Sequence, residues 1–365
     1  MTPTIAAIAT RAIRIPLSRP WGPDVREVHV VAVDVTDSDG TTGYGFSWTP
    51  TIGARAVHAM LDDHLVPAAL GRDTDPGIWH GLWEHVHEAG GGGITTVALA
   101  GIDLALWDLR ARRAGVGFPE LLGRRHDSQP AYGSGVNLHY SLDELVAQAR
   151  RWVEAGFPGV KVKVGKPDPR EDADRIAAVR DVLGPDRMLA IDANQRWDVD
   201  RATAALELLE PFDPAWIEEP LRADDLAAHR ELRARTGLRI ALGENLHTVH
   251  RFRDFLDAGV ADVVQPNVVR VGGITPFLRI AELARERGVE LAPHLLPEVS
   301  AQLAFALPER TWVEDVEDAG FAALGALEAP TGVVIADGRA SGGPAIGLGL
   351  RFRDPSRGPE REETP

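Results

Sequence analysis

Two lysines and three carboxylates stand at the ends of successive short apolar runs. Lys161 and Lys163 lie two apart in Gly159-Val160-Lys161-Val162-Lys163-Val164, a spacing that puts both on one face of a strand. Asp192 follows Met188-Leu189-Ala190-Ile191, Glu218 follows Ala215-Trp216-Ile217, and Glu244 follows Ile240-Ala241-Leu242-Gly243. The intervals from Lys163 onward are 29, 26 and 26 residues, each about one strand–helix unit. In a parallel α/β barrel such strand ends converge on one rim, where active sites form. The pattern reads as two lysines facing three carboxylates around a metal. A set of hard oxygen ligands suits Mg²⁺, which keeps positions open for water or a substrate oxygen. Taken singly, each acid could equally cap the helix that follows it. Three in register beside two lysines favour a shared site.

Unpaired ammonium groups are costly in a barrel interior. Lys161 and Lys163 therefore serve either as structural ion-pair partners or as a functional pair. In the second case each charge lowers the pKa of the other, so that one is a neutral base near pH 7. His294 ends the run Leu291-Ala292-Pro293 and should reach the rim on the far side from the lysines, where an imidazole can act as acid or base. Glu314 after Trp312-Val313 repeats the pattern more weakly, and Asn194, two past Asp192, is placed to face the site. Glu219 and Pro220 read as a turn.

These groups need a frame of alternating elements. Residues 132–137, 159–164, 188–192, 214–218, 239–243, 262–265 and 289–293 read as strands, with Thr311-Trp312-Val313 as an eighth. Helices are expected near 142–153, 171–182, 200–210, 225–235, 248–258, 274–287 and 298–306. The helix at 142–153 has a Ser141/Glu144 capping box and a stripe of Leu142, Leu145, Val146, Ala149, Trp152 and Val153. Eight strands with intervening helices imply a closed parallel barrel. Before it, residues 5–16 and 27–36 read as strands, Asp39-Gly40 as a hairpin turn, and 16–24 as a loop carrying Arg19, Pro20 and Trp21. Residues 52–88 look helical, with loop punctuation near Gly71-Arg72-Asp73. The glycine run 90–93 lacks a following Gly-Lys-Ser/Thr and reads as a flexible lead into a strong helix at 94–113. Leu99, Ile102, Leu106 and Leu109 share one face of that helix. After about 320 the alternation stops. Gly332-Val333-Val334-Ile335 reads as a strand returning to the N-terminal sheet, and the charged residues from 354 on as a frayed tail.

Composition bounds the function. The 365-residue chain has net charge −15, which argues against nucleic acid and against anionic membranes. It has 44% hydrophobic residues, enough for a core, and no cysteine, so thiol chemistry and disulfides are excluded. No apolar run approaches the roughly 18 residues a membrane span needs, and no signal peptide is evident. The expectation is a soluble cytoplasmic protein.

In combination, Lys161-Val162-Lys163, Ile191-Asp192-Ala193-Asn194-Gln195, Trp216-Ile217-Glu218-Glu219-Pro220, Gly243-Glu244-Asn245, Gly272-Gly273-Ile274 and His294 resemble the enolase superfamily, specifically its mandelate racemase-like subgroup. The run 100–108, Ala-Gly-Ile-Asp-Leu-Ala-Leu-Trp-Asp, is similar to that family's capping domain. The resemblance implies an α/β fold, a modified (β/α)₇β TIM barrel under an α+β cap. Its divisions are 1–125 for the cap, 126–320 for the barrel, and 321–365 for a segment returning to the cap. It implies Mg²⁺ on Asp192, Glu218 and Glu244, and removal of the proton alpha to a substrate carboxylate to give an enediolate. Lys163 matches the base, Lys161 the lysine on the carboxylate, and Glu314 the acid that hydrogen-bonds its other oxygen. Where the family pairs its histidine with an aspartate, this chain has Asn267. An asparagine orients an imidazole without stabilising its charge, which disfavours a racemase and does less harm to a dehydratase. The expected activity is therefore a Mg²⁺-dependent hydro-lyase acting on an aldonate, aldarate or related 2,3-dihydroxy carboxylate. A 2-hydroxy acid racemase or epimerase is the alternative, and a non-catalytic scaffold the remote one. Specificity is assigned to Arg19, Trp21 and Trp48 in the cap and to Asn137 on the first barrel strand. The partner is a small carboxylate, not nucleic acid or membrane, and the resemblance implies a homo-oligomer.

Overall fold

A computed structural model describes residues 3–22 and 24–353, so the expected tail from 354 lies outside the described residues. Three antiparallel strands, β1 (Ile5–Trp21), β2 (Val25–Asp37) and β3 (Thr42–Thr49), pair in that order. The Asp39-Gly40 turn joins β2 to β3: Gly40 has φ 85°, and an Asp37 carboxylate oxygen accepts the Asp39 and Thr41 N–H groups at 2.9 Å each. The loop expected from residue 16 is instead strand as far as Trp21, with Pro16 opposite Glu27 and Trp21 opposite Val25. β1 is an edge strand, where a proline's missing N–H removes no ladder bond.

Residues 52–88 are helical only in pieces: α1 (Ala54–Met60), a π turn at Leu61–Leu65, α2 (Val66–Ala69) and α3 (Trp79–Val86). The long helix α4 (Ile94–Ala114) was expected to bury one face, yet nearly every residue from Thr95 to Leu106 is buried. The sheet covers one side of it, and α1, α3 and a barrel helix cover the rest. Its approach to β3 is close: a Cβ at Gly45 would lie 2.2 Å from the Gly101 carbonyl oxygen. A short helix, α5 (Phe118–Leu121), leads into the barrel.

Eight parallel strands follow: β4 (Ser128–Ser134), β5 (Gly159–Lys163), β6 (Met188–Asp192), β7 (Ile217–Glu218), β8 (Ile240–Leu242), β9 (Val263–Val264), β10 (Glu290–Leu291) and β11 (Val313–Val316). They pair in chain order from β4 to β10, with β11 on the free side of β4. Between β10 and β11 the seam is bridged by the Thr311 hydroxyl on the Leu291 carbonyl and by Leu295 N–H on the Glu314 carboxylate. The intervening helices are α6 (Leu142–Glu154), α7 (Pro169–Leu183), α8 (Val199–Leu209), α9 (Leu226–Arg235), α10 (Val249–Asp257), α11 (Ile274–Glu286) and α12 (Pro297–Ala306). Among the described residues no barrel helix follows β11, so the architecture is a (β/α)₇β barrel. Tyr132, Ala190, Trp216, Ala241, Val263 and Ala292 form a separate apolar cluster inside it, the layered packing such a barrel needs. The Ser141/Glu144 capping box is formed on α6. On its stripe, Leu142 is exposed, and Gln148 is buried because it bonds Asn137 and Glu317.

The C-terminal segment departs from expectation. Val333–Ala336 is a strand (β12), but it pairs with β13 (Arg339–Gly342), and β13 pairs with the start of β4 rather than with the N-terminal sheet. The first residues of β4 precede its pairing with β11, so their backbone groups are free to take the hairpin. Later residues make the return to the cap. Asp108 on α4 accepts Leu348 N–H at 2.5 Å and Tyr44 N–H at 2.9 Å. Phe352 meets Phe46 and Phe321 edge-on, at centroid distances of 5.2 and 5.0 Å. Among the described residues no helix is long and apolar enough to cross a membrane.

Phe352 is buried in this aromatic trio. Phe352→Ala should therefore cost about 3–5 kcal/mol of stability, read as a lower urea midpoint. An unchanged midpoint would show that the return segment is not part of the folding unit.

Candidate active site

The strand ends converge as their spacing requires. Lys163 lies opposite Asp192 in the β5–β6 register, and Asp192 opposite Glu218 in β6–β7. Adjacent strands are ~4.8 Å apart, so these charges meet. Lys161 Nζ contacts both Glu218 oxygens at 2.7 and 2.8 Å, Glu314 Oε1 at 2.8 Å and Asp192 Oδ2 at 3.7 Å. Lys163 Nζ is hydrogen-bonded to Asp192 Oδ2. On the other side, His294 Nε2 lies 2.5 Å from Glu244 Oε2 and 3.7 Å from Glu314 Oε2. All seven of these side chains are buried.

The turns leaving the strands hold uncommon backbone angles. Asn194, Gln195, Glu219, Leu295 and Leu296 all have φ between 37° and 61°, at a cost of order 1–3 kcal/mol each. Asn194 puts its N–H on Asp192 Oδ1 at 2.8 Å and its amide 3.5 Å from Glu244 Oε1. It thereby spans two of the carboxylates.

Five carboxylates (Asp192, Glu218, Glu219, Glu244 and Glu314) are buried here against two ammonium groups and one imidazole. Burial and the Asp192 charge push the Glu218 carboxyl up to about 7 even though Lys161 touches it. Burial and the Glu244 charge push Glu219 well above the usual carboxylate range. Glu244 goes the other way: burial would raise it, but the His294 ring and Lys163 hold it well below. A site with this surplus of negative charge and these oxygen donors fits a divalent cation.

The cation-ligand set needs one comment. Glu218, Glu244 and His294 present ligand atoms within 4.8 Å of one another. Asp192 falls outside that group because its carboxylate is turned onto Lys163 and the Asn194 N–H. An imidazole holding a proton toward Glu244 is a poor ligand, whereas Asp192 keeps its oxygens for a cation that can displace an ammonium. Asp192, Glu218 and Glu244 together offer an all-oxygen set that could hold the ion.

At Lys163, burial and the nearby Lys161 charge lower the pKa, but Asp192, Glu244 and Glu218 together outweigh them and raise it above the ordinary lysine value. Lys161 is raised further, because Glu218 and Glu314 more than offset its burial. Glu314, expected to hydrogen-bond the second substrate carboxylate oxygen, lies between Lys161 and His294. Burial would raise it, yet Lys161 and His294 bring it down to about 2. It is an ionised acceptor of Lys161 and of the Leu295 N–H at 2.9 Å.

Asn267 determines which nitrogen of His294 carries a proton. The Asn267 Oδ1 accepts the Val269 and Arg270 N–H groups, both at 3.1 Å. Its amide nitrogen must therefore face His294 Nδ1, 3.2 Å away, and donate to it. The proton of the ring is left on Nε2, pointing at the carboxylates. Burial lowers the imidazole pKa, but Glu244 and Glu314 together raise it above its ordinary value.

Some expected residues lie elsewhere. Asn137 is fully buried: its oxygen accepts the Lys163 N–H at 3.0 Å and its amide donates to Gln148 at 2.9 Å. It supports the lysine strand and has no free edge for a substrate. Arg19 is committed to Glu144 at 2.9 Å and stacks 3.7 Å over Tyr140, while Trp21 meets Trp48 edge-on at 6.4 Å. None of these contacts is with the carboxylate cluster. Three site residues were not singled out from the sequence. Gln265 donates to Glu218 Oε2 at 2.7 Å. Asn245 donates to Glu219 and Glu244 at 2.6 and 2.9 Å. Arg270 bonds Asn245 and the Glu244 carbonyl. Glu219, expected only to shape the turn, also anchors Asn245. Position at a strand end was the available signal for Gln265 and Asn245.

Residues 5–123 match the family model described as mandelate racemase / muconate lactonizing enzyme, N-terminal domain, and residues 144–356 that described as enolase C-terminal domain-like. The chain is 38% identical over 290 residues to a 3,6-anhydro-alpha-L-galactonate cycloisomerase of Streptomyces coelicolor, covering 79% of this chain and 80% of that one. It is 38% identical over 295 residues to an L-talarate/galactarate dehydratase of Salmonella typhimurium, covering 80% and 74%. Among solved structures, L-talarate dehydratase from Polaromonas sp. JS666 with Mg and L-glucarate is similar at TM-score 0.85 and 36% identity, over 96% of each chain. A racemase from Streptomyces coelicolor with bound magnesium is similar at TM-score 0.89 and 35% identity, over 95% and 97%.

Calorimetric titration with Mg²⁺ separates the two ligand sets. Asp192→Asn should weaken binding at least about tenfold, as loss of a charged ligand does, while His294→Asn should leave it within about twofold. The reverse result would assign the third ligand to His294.

Proposed function

The chain belongs to the mandelate racemase / muconate lactonizing enzyme family of the enolase superfamily, and from that premise we propose that it is a Mg²⁺-dependent dehydratase of a sugar acid. The substrate class is an aldonate, aldarate or related 2,3-dihydroxy carboxylate. Asp192, Glu218 and Glu244 would hold the ion, which when bound would supply Lewis-acid stabilisation of the charge that develops on the substrate carboxylate. Lys161 meets that carboxylate with its ammonium, which Glu314 keeps in place. Lys163 takes the proton alpha to the carboxylate; its own proton must first leave, against the pull of Asp192, Glu244 and Glu218. His294 delivers a proton to the departing 3-hydroxyl, and the enol product tautomerises to a 2-keto-3-deoxy acid. The division into cap 1–125, barrel 126–320 and return segment 321–365 belongs to this reading, as do a homo-oligomeric state and a cytoplasmic location.

The observation that carries the choice of dehydratase is the His294–Asn267 pair. With Nδ1 taken by the Asn267 amide, the neutral ring carries its proton on Nε2 and cannot act there as a base; to protonate the departing hydroxyl it must first gain a second proton at Nδ1, displacing the amide, so that neutral imidazole is left. A racemase needs the same nitrogen bare to deprotonate one enantiomer. An isomerase remains the second reading. The imidazole is well held by Asn267, and relatives include a cycloisomerase as similar as the dehydratase.

With Mg²⁺ and a panel of aldonic and aldaric acids, wild-type protein should form 2-keto acid. Lys163→Ala should lose about 10²–10⁴-fold in kcat, the usual share of a positioned base. Activity retained in that variant would remove Lys163 from the mechanism. Exchange of the alpha proton in D₂O without loss of water would decide for the isomerase.

A further inference from the structure

Asp103 is a buried carboxylate in the middle of α4, on the cap. Among the described residues no cation pairs with it, and burial pushes its carboxyl up to about 7. Its partners lie on the barrel. Oδ2 accepts the Thr275 N–H at 2.9 Å, and Oδ1 accepts the Thr275 hydroxyl at 2.6 Å. One turn along α4, Trp107 Nε1 donates to the same hydroxyl at 2.9 Å. From α3, Trp79 Nε1 donates to the Gly272 carbonyl at 2.7 Å. Three side chains of the cap thus grip one barrel segment, residues 272–275.

That segment is the end of the loop that carries Asn267. Gly272 and Gly273 have φ 102° and 114°, a pair with no side chain to fix its geometry. The cap sits against both: a Cβ at Gly273 would be 2.3 Å from Asp103 Oδ2, and one at Gly272 would be 3.0 Å from Trp79. Gly273 N–H donates to the Val268 carbonyl at 2.8 Å, and Val271 N–H to the Asn267 carbonyl at 3.0 Å. The loop is therefore tied from Asp103, through Thr275, Gly273 and Val268, to Asn267, whose amide faces His294 Nδ1.

We propose that Asp103 is a positioning residue for His294, acting across the cap–barrel boundary through the Gly272–Gly273 turn and Asn267. The cap clamps a loop that two glycines would otherwise leave free, and the loop in turn fixes the imidazole edge. The effect on turnover rests on the dehydratase or isomerase reading; the effect on the ring does not.

The test has two independent arms. The first is ¹⁵N–¹H correlation of the imidazoles in protein labelled at histidine, with His294 assigned by its loss in His294→Asn. Asp103→Ala should shift or broaden the His294 ring signals and leave His229, buried on α9 against the Asp225 carbonyl, unchanged. The second arm is steady-state kinetics with Mg²⁺. Asp103→Ala should lower kcat about ten- to a hundredfold, the range a misplaced catalytic group commonly shows, with KM within about twofold. Thr275→Val, which removes the shared hydroxyl, should give a smaller effect of the same kind, and Thr275→Ser should restore wild-type behaviour. If Asp103→Ala does not fold, Thr275→Val carries both measurements. Unchanged His294 signals in a folded variant would overturn the proposal. A shifted His294 in a protein that shows no turnover would support it while refuting the assigned reaction.

Discussion

The constraint on which this structure turns is a surplus of buried negative charge at the mouth of the barrel. Five carboxylates converge on a volume that two ammonium groups cannot neutralise. Lys161 divides itself between Glu218 and Glu314 and still leaves Glu218 raised to about 7. Such an arrangement is costly in a low-dielectric interior unless a further positive charge is shared by the oxygens. The surrounding amides follow from the same need. Asn194, Asn245 and Gln265 each give N–H groups to a carboxylate of the cluster, and the left-handed turns after β6, β7 and β10 bring the polar backbone inward.

Below this charged layer the barrel is apolar. Tyr132 and Trp216, edge-on at 5.9 Å, occupy the interior together with small residues such as Ala190 and Ala241. The charges sit above a packed floor. The lysines are held there by strand register and by Asn137, in the loop after β4, which accepts the Lys163 N–H. Above, the cap packs α4 between its own sheet and α11 so completely that the helix has almost no wet side. Two aspartates on that helix do the polar work of joining. Asp108 pins the returning C-terminal segment to β3, and Asp103 pins the loop that leads to His294. Removing either leaves buried N–H donors without acceptors, a cost of about 1–3 kcal/mol per group.

The same fold supports dehydration and isomerisation, and the difference comes down to where protons sit. An aspartate beside His294 would stabilise the imidazolium by charge. Asn267, with its oxygen already taken by two backbone N–H groups, instead presents a donor and leaves the ring proton on Nε2. Relatives of comparable identity carry either kind of activity, so overall similarity does not discriminate, whereas this one amide does.

The sequence by itself determined the periodic features. Strand–helix alternation, the 29- and 26-residue intervals and the two-residue lysine spacing follow from local geometry, so the barrel, its rim and the charges on it were legible. Asp39-Gly40 and the Ser141/Glu144 box were legible for the same reason, because turns and caps are made within a few residues. Only the tertiary structure decided what depends on contacts distant in sequence. Residue 16 onward continues as strand because β1 lies at an edge, and β12–β13 joins β4 because that strand's start is unpaired there. Asn137 turns out to be a buried support, and Glu314 an ionised acceptor, because of side chains on other strands. Charge state is the extreme case. The Lys163 pKa is raised in part by a carboxylate 29 residues away, and no local pattern carries the balance between burial and a charge brought near by folding.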